Sequence, residues 1–137
     1  MAEIVIIGAG VQGASLAFHL AKMGARPIVL DRPGVINATG RSSGLVRMHY
    51  DLPENAALAW RSFQVFRDWV DIVGGQCGFT RTGFLQLVPP ELSDQLRATV
   101  RMQAELGIPT LLVNAEDVAL IAPEMGVEDI EIAAYEP

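Results

Sequence analysis

An α/β fold class follows from three observations near the start of the 137-residue chain. Ile4, Val5, Ile6 and Ile7 form an apolar run without polar alternation, the pattern of a strand buried on both faces. The run passes directly into G-x-G-x-x-G, made by Gly8, Gly10 and Gly13, and strong helix formers follow. A second short strand, Pro27 to Leu30, ends on Asp31, eighteen residues beyond Gly13. The usual separation between a glycine turn and a ribose-binding acid is roughly 20 residues. Strand, turn, helix and strand together predict a Rossmann-type β-α-β unit.

Each later element has its own signal. Leu16, Ala17, Leu20 and Ala21 repeat at helical spacing, and Gly24 suits the end of that helix. From Val35 to Leu52 the sequence has neither period and reads as a long ordered loop with at most a short helix. Asp51 and Glu54 predict a capping box around Pro53, opening a helix over 53–73. Ala59, Phe63, Phe66, Val70 and Val73 would form its apolar face, and Gly74-Gly75 its end. Trp60, Phe63, Phe66 and Trp69 form an aromatic stripe read as core.

"CGFTRTGFLQLVPP" predicts a hairpin turning near Thr82-Gly83, followed by a helix from about Leu92 to Leu106 with Gly107 beyond it. A strand from Thr110 to Val113, a short helix capped by Asn114, and a strand from Ile130 to Tyr135 complete the chain. Neither the hairpin nor the last strand has the two-sided apolar character of a central parallel strand. The parallel sheet is therefore expected to be incomplete, with the remainder beyond Pro137.

Ten basic and sixteen acidic residues give a formal net charge of −6, which argues against a nucleic-acid or anionic-membrane surface. Any phosphate must be held locally. Half of the residues are hydrophobic, enough for a packed core. The single cysteine, Cys77, excludes an internal disulfide and reads as a small buried residue. With no basic leader or long apolar run at the N-terminus, a cytoplasmic protein without a membrane span is expected.

The candidate phosphate-binding segment is Gly8, Ala9, Gly10, Val11, Gln12 and Gly13. Gly8 permits the sharp bend, Gly10 lets a pyrophosphate approach the backbone, and Gly13 allows close helix packing, while the helix N-terminus supplies oriented N–H groups. Asp31 is placed to take ribose hydroxyls and disfavours a 2′-phosphorylated nucleotide, an effect that Arg32 partly offsets. FAD and NAD fit this motif equally well. The loop "GRSSGLVRMHY" adds Ser42, Ser43 and Gly44 beside Arg41, Arg47 and His49, a set suited to the phosphates and polar ring atoms of a long cofactor. His19 reads as an ordinary helix residue.

Taken together, "GAGVQGASLAFHLAKMGARPIVLDR", "TGRSSGLVRMHY", "CGFTRTGFLQL", "LGIPTLLVNAEDV" and "AAYEP" resemble the N-terminal portion of the D-amino-acid oxidase superfamily of FAD-dependent oxidoreductases. The likeness is greatest to the sarcosine oxidase β-subunit and dimethylglycine dehydrogenase branch. The resemblance implies the N-terminal part of an FAD-binding domain over 1–75 and the start of an α+β substrate domain over 76–137. It places Gly8, Gly10 and Gly13 at the pyrophosphate, Asp31 and Arg32 at the adenosine end, and Ser42, Ser43 and Gly44 along the pyrophosphate and ribityl chain. Arg47 matches a basic residue near the flavin ring, and His49 lies close to it in sequence. Some relatives attach flavin through a histidine in this loop or a later cysteine; "GRSSG" has no histidine and Cys77 lies elsewhere, so FAD is expected to be non-covalent.

The implied activity is oxidation of the C–N bond of a small amino acid or N-methylated amino acid to an imine, the site being completed by missing C-terminal sequence or a second chain. A NAD-binding dehydrogenase and a truncated, non-catalytic cofactor-binding fragment are the alternatives.

Overall fold

The glycine turn and the strands beside it form one of two compact units in the computed structural model, which describes residues 4–34 and 36–137. One unit runs through Leu45 and the other from Val46 to Pro137. The residues before Ile4, and Val35 at the head of the predicted loop, lie outside the described residues.

In the first unit, β1 (Val5–Ile7) pairs in parallel with β2 (Ile28–Leu30), Ile6 lying opposite Val29. Between them runs α1 (Val11–Lys22), closed by Met23 and by Gly24 at φ +83°, the left-handed position that ends a helix. The β-α-β unit is as predicted. Its burial is not: Ile6 is 7% exposed, but Val5 is 52% and Ile7 89% exposed, and β2 is exposed throughout. The sheet has two strands among the described residues, so side chains suited to two covered faces meet cover on one at most. Within the predicted loop the only regular element described is a single 3-10 turn, Thr39–Arg41.

The second unit is built around a three-stranded antiparallel sheet, β3 (Phe84–Leu87), β5 (Ala133–Glu136) and β4 (Leu111–Val113), with β5 in the middle. Ala133 and Ala134 on β5 are fully buried on opposite faces. Ala134 joins Ile132 against Leu96 and Val100 of α4 (Ser93–Glu105), and Ala133 joins Val113 against Val118 of α5 (Ala115–Ile121). The last strand thus has the two-sided burial not expected of it, because alanines give little hydropathy signal yet let helices approach both faces closely.

Ahead of this sheet lies α2 (Pro53–Arg67), which buries Ala56 and Phe63 against Met48 and Ile108. Of the aromatic stripe, Phe63 is core and the others are half-buried: Trp60 stacks on Phe63, Phe66 stacks on Trp69, and Phe79 meets both Phe63 and Phe66. The single helix predicted over 53–73 is interrupted at Asp68, whose backbone (φ −105°, ψ 31°) is not helical, and a short α3 (Trp69–Ile72) follows. Arg67 donates to both Asp68 carboxylate oxygens at that break.

Three further expectations are corrected. Asp51 does not cap α2: the cap position is Leu52, held extended because proline follows it, and Pro53 has no N–H to receive a cap. The hairpin at Thr82-Gly83 is absent, since β3 pairs with the distant β5 and Gly83, at φ +76°, lies against the Tyr135 ring. Cys77 is exposed, in an irregular segment flanked by left-handed Gly75 and Gly78.

Candidate functional site

The glycine turn presents backbone and almost nothing else. Gly8 adopts φ +108°, closed to most side chains, while its N–H continues the strand ladder to Leu30 O at 2.7 Å. A Cβ on Gly13 would collide with the Gly8 carbonyl oxygen, so helix and turn touch directly. Gly10 is the N-cap of α1 and has no side chain to cap it. That task falls to Thr39, whose Oγ1 accepts the Val11 N–H at 2.9 Å. A Cβ on Gly10 would also lie 2.9 Å from Thr39 Oγ1. The amides of Gln12 and Gly13 find no acceptor among the described residues, and these oriented donors suit a pyrophosphate.

Asp31 is held by the turn it faces. Its Oδ2 accepts the Ala9 N–H at 2.9 Å and its Oδ1 accepts the Arg32 N–H at 2.8 Å. Those bonds, the Ala9 one foremost, hold its carboxyl below the usual carboxylate range. Each oxygen keeps a lone pair for a ribose hydroxyl. Ser42, Ser43 and Gly44 are exposed; the Gly44 N–H bonds Ser42 Oγ at 3.1 Å, and Gly44 takes φ +67°. The turn amides and the Asp31 carboxylate have the chemistry that an adenosine diphosphate moiety requires.

Arg47 and His49 belong to the second unit. There they line an open cavity of about 290 Å³ together with Tyr50, Asp51, Gln86 and Thr99 among others. The Arg47 guanidinium lies over Tyr50 and Phe84, 5.4 and 5.3 Å from the ring centroids, and forms no ion pair among the described residues. His49 is 7% exposed; burial, assisted by Arg47 and opposed by Asp51, holds its imidazole below the usual histidine range. His19 is exposed on α1 and remains an ordinary helix residue.

Three residues at these places escaped the sequence reading. Thr39 sat unremarked in the loop, with no periodicity to single it out. Gln103 falls seven residues after Leu96 on the buried face of α4, and a polar residue in that phase is a readable signal. Glu136 shares a strand face with Ile132 and Ala134, but its burial depends on pairing partners far away in the chain.

Comparison with known proteins decides what the glycine turn leaves open. A family model described as "DAO: FAD dependent oxidoreductase" matches residues 3–137. The chain belongs to this family. FAD, and not NAD, is accordingly the cofactor of the motif. The chain is 31% identical to the mitochondrial pyruvate dehydrogenase phosphatase regulatory subunit of Mus musculus, over 99% of this chain and 16% of that protein. It is 27% identical to the mitochondrial dimethylglycine dehydrogenase of Rattus norvegicus, over 99% of this chain and 16% of that one. Among solved structures, L-proline dehydrogenase from P. horikoshii matches with a TM-score of 0.88 and 27% identity, covering 99% of this chain and 36% of that chain. The chain therefore spans well under half of the relatives it matches. Among the described residues no helix is long and apolar enough to cross a membrane, and no cluster of His, Cys, Asp and Glu is arranged to hold a metal.

Proposed function

We propose that the chain is the N-terminal part of an FAD-dependent enzyme that oxidises the C–N bond of a small amino acid or N-methylated amino acid. Dimethylglycine and proline, named in two of its relatives, belong to that substrate class. The observation that carries the reading is the Arg47 guanidinium, without an ion pair among the described residues and held over two aromatic rings on the wall of a small open cavity that also takes His49. In this reading Gly8 to Gly13 hold the pyrophosphate through backbone amides, Asp31 and Arg32 the adenosine end, and Ser42, Ser43 and Gly44 the pyrophosphate and ribityl chain. The FAD is non-covalent, and walls from sequence beyond Pro137 or from a second chain complete the site. Residues 1–75 belong to the FAD domain and 76–137 open the substrate domain.

When bound, FAD supplies the acceptor for a hydride equivalent. The substrate loses that hydride from the carbon beside nitrogen and a proton from nitrogen, a C=N bond forms, and water hydrolyses the imine. Arg47 contributes fixed positive charge where negative charge develops. His49, whose imidazole burial holds below the usual histidine range, is available to take the amine proton.

The match to a regulatory subunit supports a second reading, a family member that binds FAD without turning over an amine. The test is the absorbance spectrum of the purified full-length protein, its cofactor after acid precipitation, and anaerobic bleaching by sarcosine, dimethylglycine, L-proline and D-amino acids. A yellow protein that releases FAD into the acid supernatant and is bleached by one of these amines is the expected result. A yellow protein that none of them bleaches selects the second reading, and a colourless one overturns both.

A further inference from the structure

Residues 46–50 have no regular secondary structure, yet Met48 and His49 within them are 3% and 7% exposed. A buried peptide outside helix or sheet needs side-chain partners for its N–H and C=O. Met48 has both. Glu136 Oε2, from β5, accepts the Met48 N–H at 2.9 Å, and Gln103 Nε2, from α4, donates to the Met48 carbonyl at 3.1 Å. Gln103 is fully buried and Glu136 3% exposed. The gripped peptide sits between Arg47 and His49, the two residues of this segment that the proposed function places beside the reacting amine.

A neutral acceptor would also satisfy the Met48 N–H, and burying a charge is costly unless it is paired. The titratable side chain beside it is His49. Its Nδ1 lies 3.4 Å from Gln103 Nε2 and 4.0 Å from Glu136 Oε1, and that oxygen has no hydrogen-bond partner among the described residues. The charged groups facing His49 are Arg47 and Asp51 on its own segment and Glu136 on β5, while Gln103 on α4 is neutral. Burial raises the Glu136 carboxyl above its ordinary range, opposed by its bond from Met48, by the Arg47 charge and by the Gln103 side chain.

We propose that Glu136 and Gln103 are positioning residues: they clamp the Met48 peptide from its two sides, fixing Arg47 and His49 on the cavity wall, and the Glu136 carboxylate tunes the protonation of His49. This rests on the proposed function for the roles of Arg47 and His49; the clamp itself does not.

Three variants of the full-length, FAD-loaded protein separate the two actions. Glu136→Gln keeps an oxygen for the Met48 N–H and removes the charge. Glu136→Leu removes both, and Gln103→Leu removes the carbonyl side of the clamp. The readouts are FAD content, the His49 titration by NMR of histidine-labelled protein with Glu136 intact or replaced, and kcat and KM against pH. In Glu136→Gln the His49 titration moves to lower pH, since an anion beside the imidazole favours its charged form, and the acid limb of kcat/KM moves with it. In Glu136→Leu and Gln103→Leu kcat falls by about tenfold or more with FAD content retained, as expected when reacting groups lose their fixed orientation. Coincident His49 titrations in the parent and Glu136→Gln, with unchanged kcat in Gln103→Leu, overturn the inference while leaving the proposed function standing. A full-length protein that binds FAD but bleaches with no amine overturns the catalytic reading, and the His49 titration then decides the clamp and its charge alone.

Discussion

At Gly10 two explanations for the missing side chain meet. In the proposed function a pyrophosphate needs the backbone bare, and in the structure Thr39 fills the space, with its Oγ1 2.9 Å from where a Cβ would stand. Gly10→Ala is therefore expected to lower stability by pushing Thr39 off the Val11 amide, and to lose FAD as well. Adding Thr39→Ala removes the collision, so the double variant has a smaller further loss from the glycine change, while FAD retention stays low because the methyl group still blocks the phosphate. Thermal melts and FAD absorbance of the two single variants and the double variant check this. A double variant that regains full FAD content shows that Gly10 serves Thr39 alone. Asp31 has a comparable double duty in the proposed function, since the carboxylate assigned there to the ribose also pins the Ala9 amide of the turn.

Helix starts show how a single residue shifts an element. The motif at Asn114 was legible and is present in full: its side chain accepts the Asp117 N–H at 2.9 Å, and Asp117 accepts the Asn114 N–H at 3.1 Å. The same logic applied at Asp51 fails, because a proline at the first helical position moves the cap to Leu52. Asn114→Ala is expected to cost about 1 kcal/mol, and Asp51→Ala to change stability by no more than about 0.5 kcal/mol. Urea unfolding of both variants tests the contrast; equal losses would mean that Asp51 stabilises α2 by a route other than capping. β5 carries the parallel lesson for strands, since its two alanines are central for reasons of fit that no hydropathy pattern announces.

For the molecule as a whole, the bare sheet has a consequence. Val5, Ile7, Ile28 and Leu30 are each at least half exposed on a two-stranded sheet, an arrangement that is marginal in water. The 137-residue chain produced alone is expected to associate as its concentration rises and to turn over none of sarcosine, dimethylglycine or D-amino acids, even with excess FAD. Sedimentation velocity and flavin bleaching are the measurements. A concentration-independent monomer that bleaches with any of these amines would place the whole active site within these residues.

What depends on near neighbours is legible in the sequence. The glycine turn, the parallel pair around it, the strand-end acid and the capped α5 each follow from a local stretch where spacing maps directly onto helix and strand periods, and the family follows from several such stretches taken together along the chain. What depends on partners brought together by folding is not. Thr39 reaches the start of α1 from 28 residues away, β3 pairs with the end of the chain and not with its own preceding segment, and Glu136 finds the Met48 amide 88 residues back. A buried polar group is chosen by whichever donor or acceptor the fold brings to it. Local pattern contains no record of that choice, and so the glutamine and glutamate that grip the Arg47 to His49 segment became visible only once the sheet and α4 were in place.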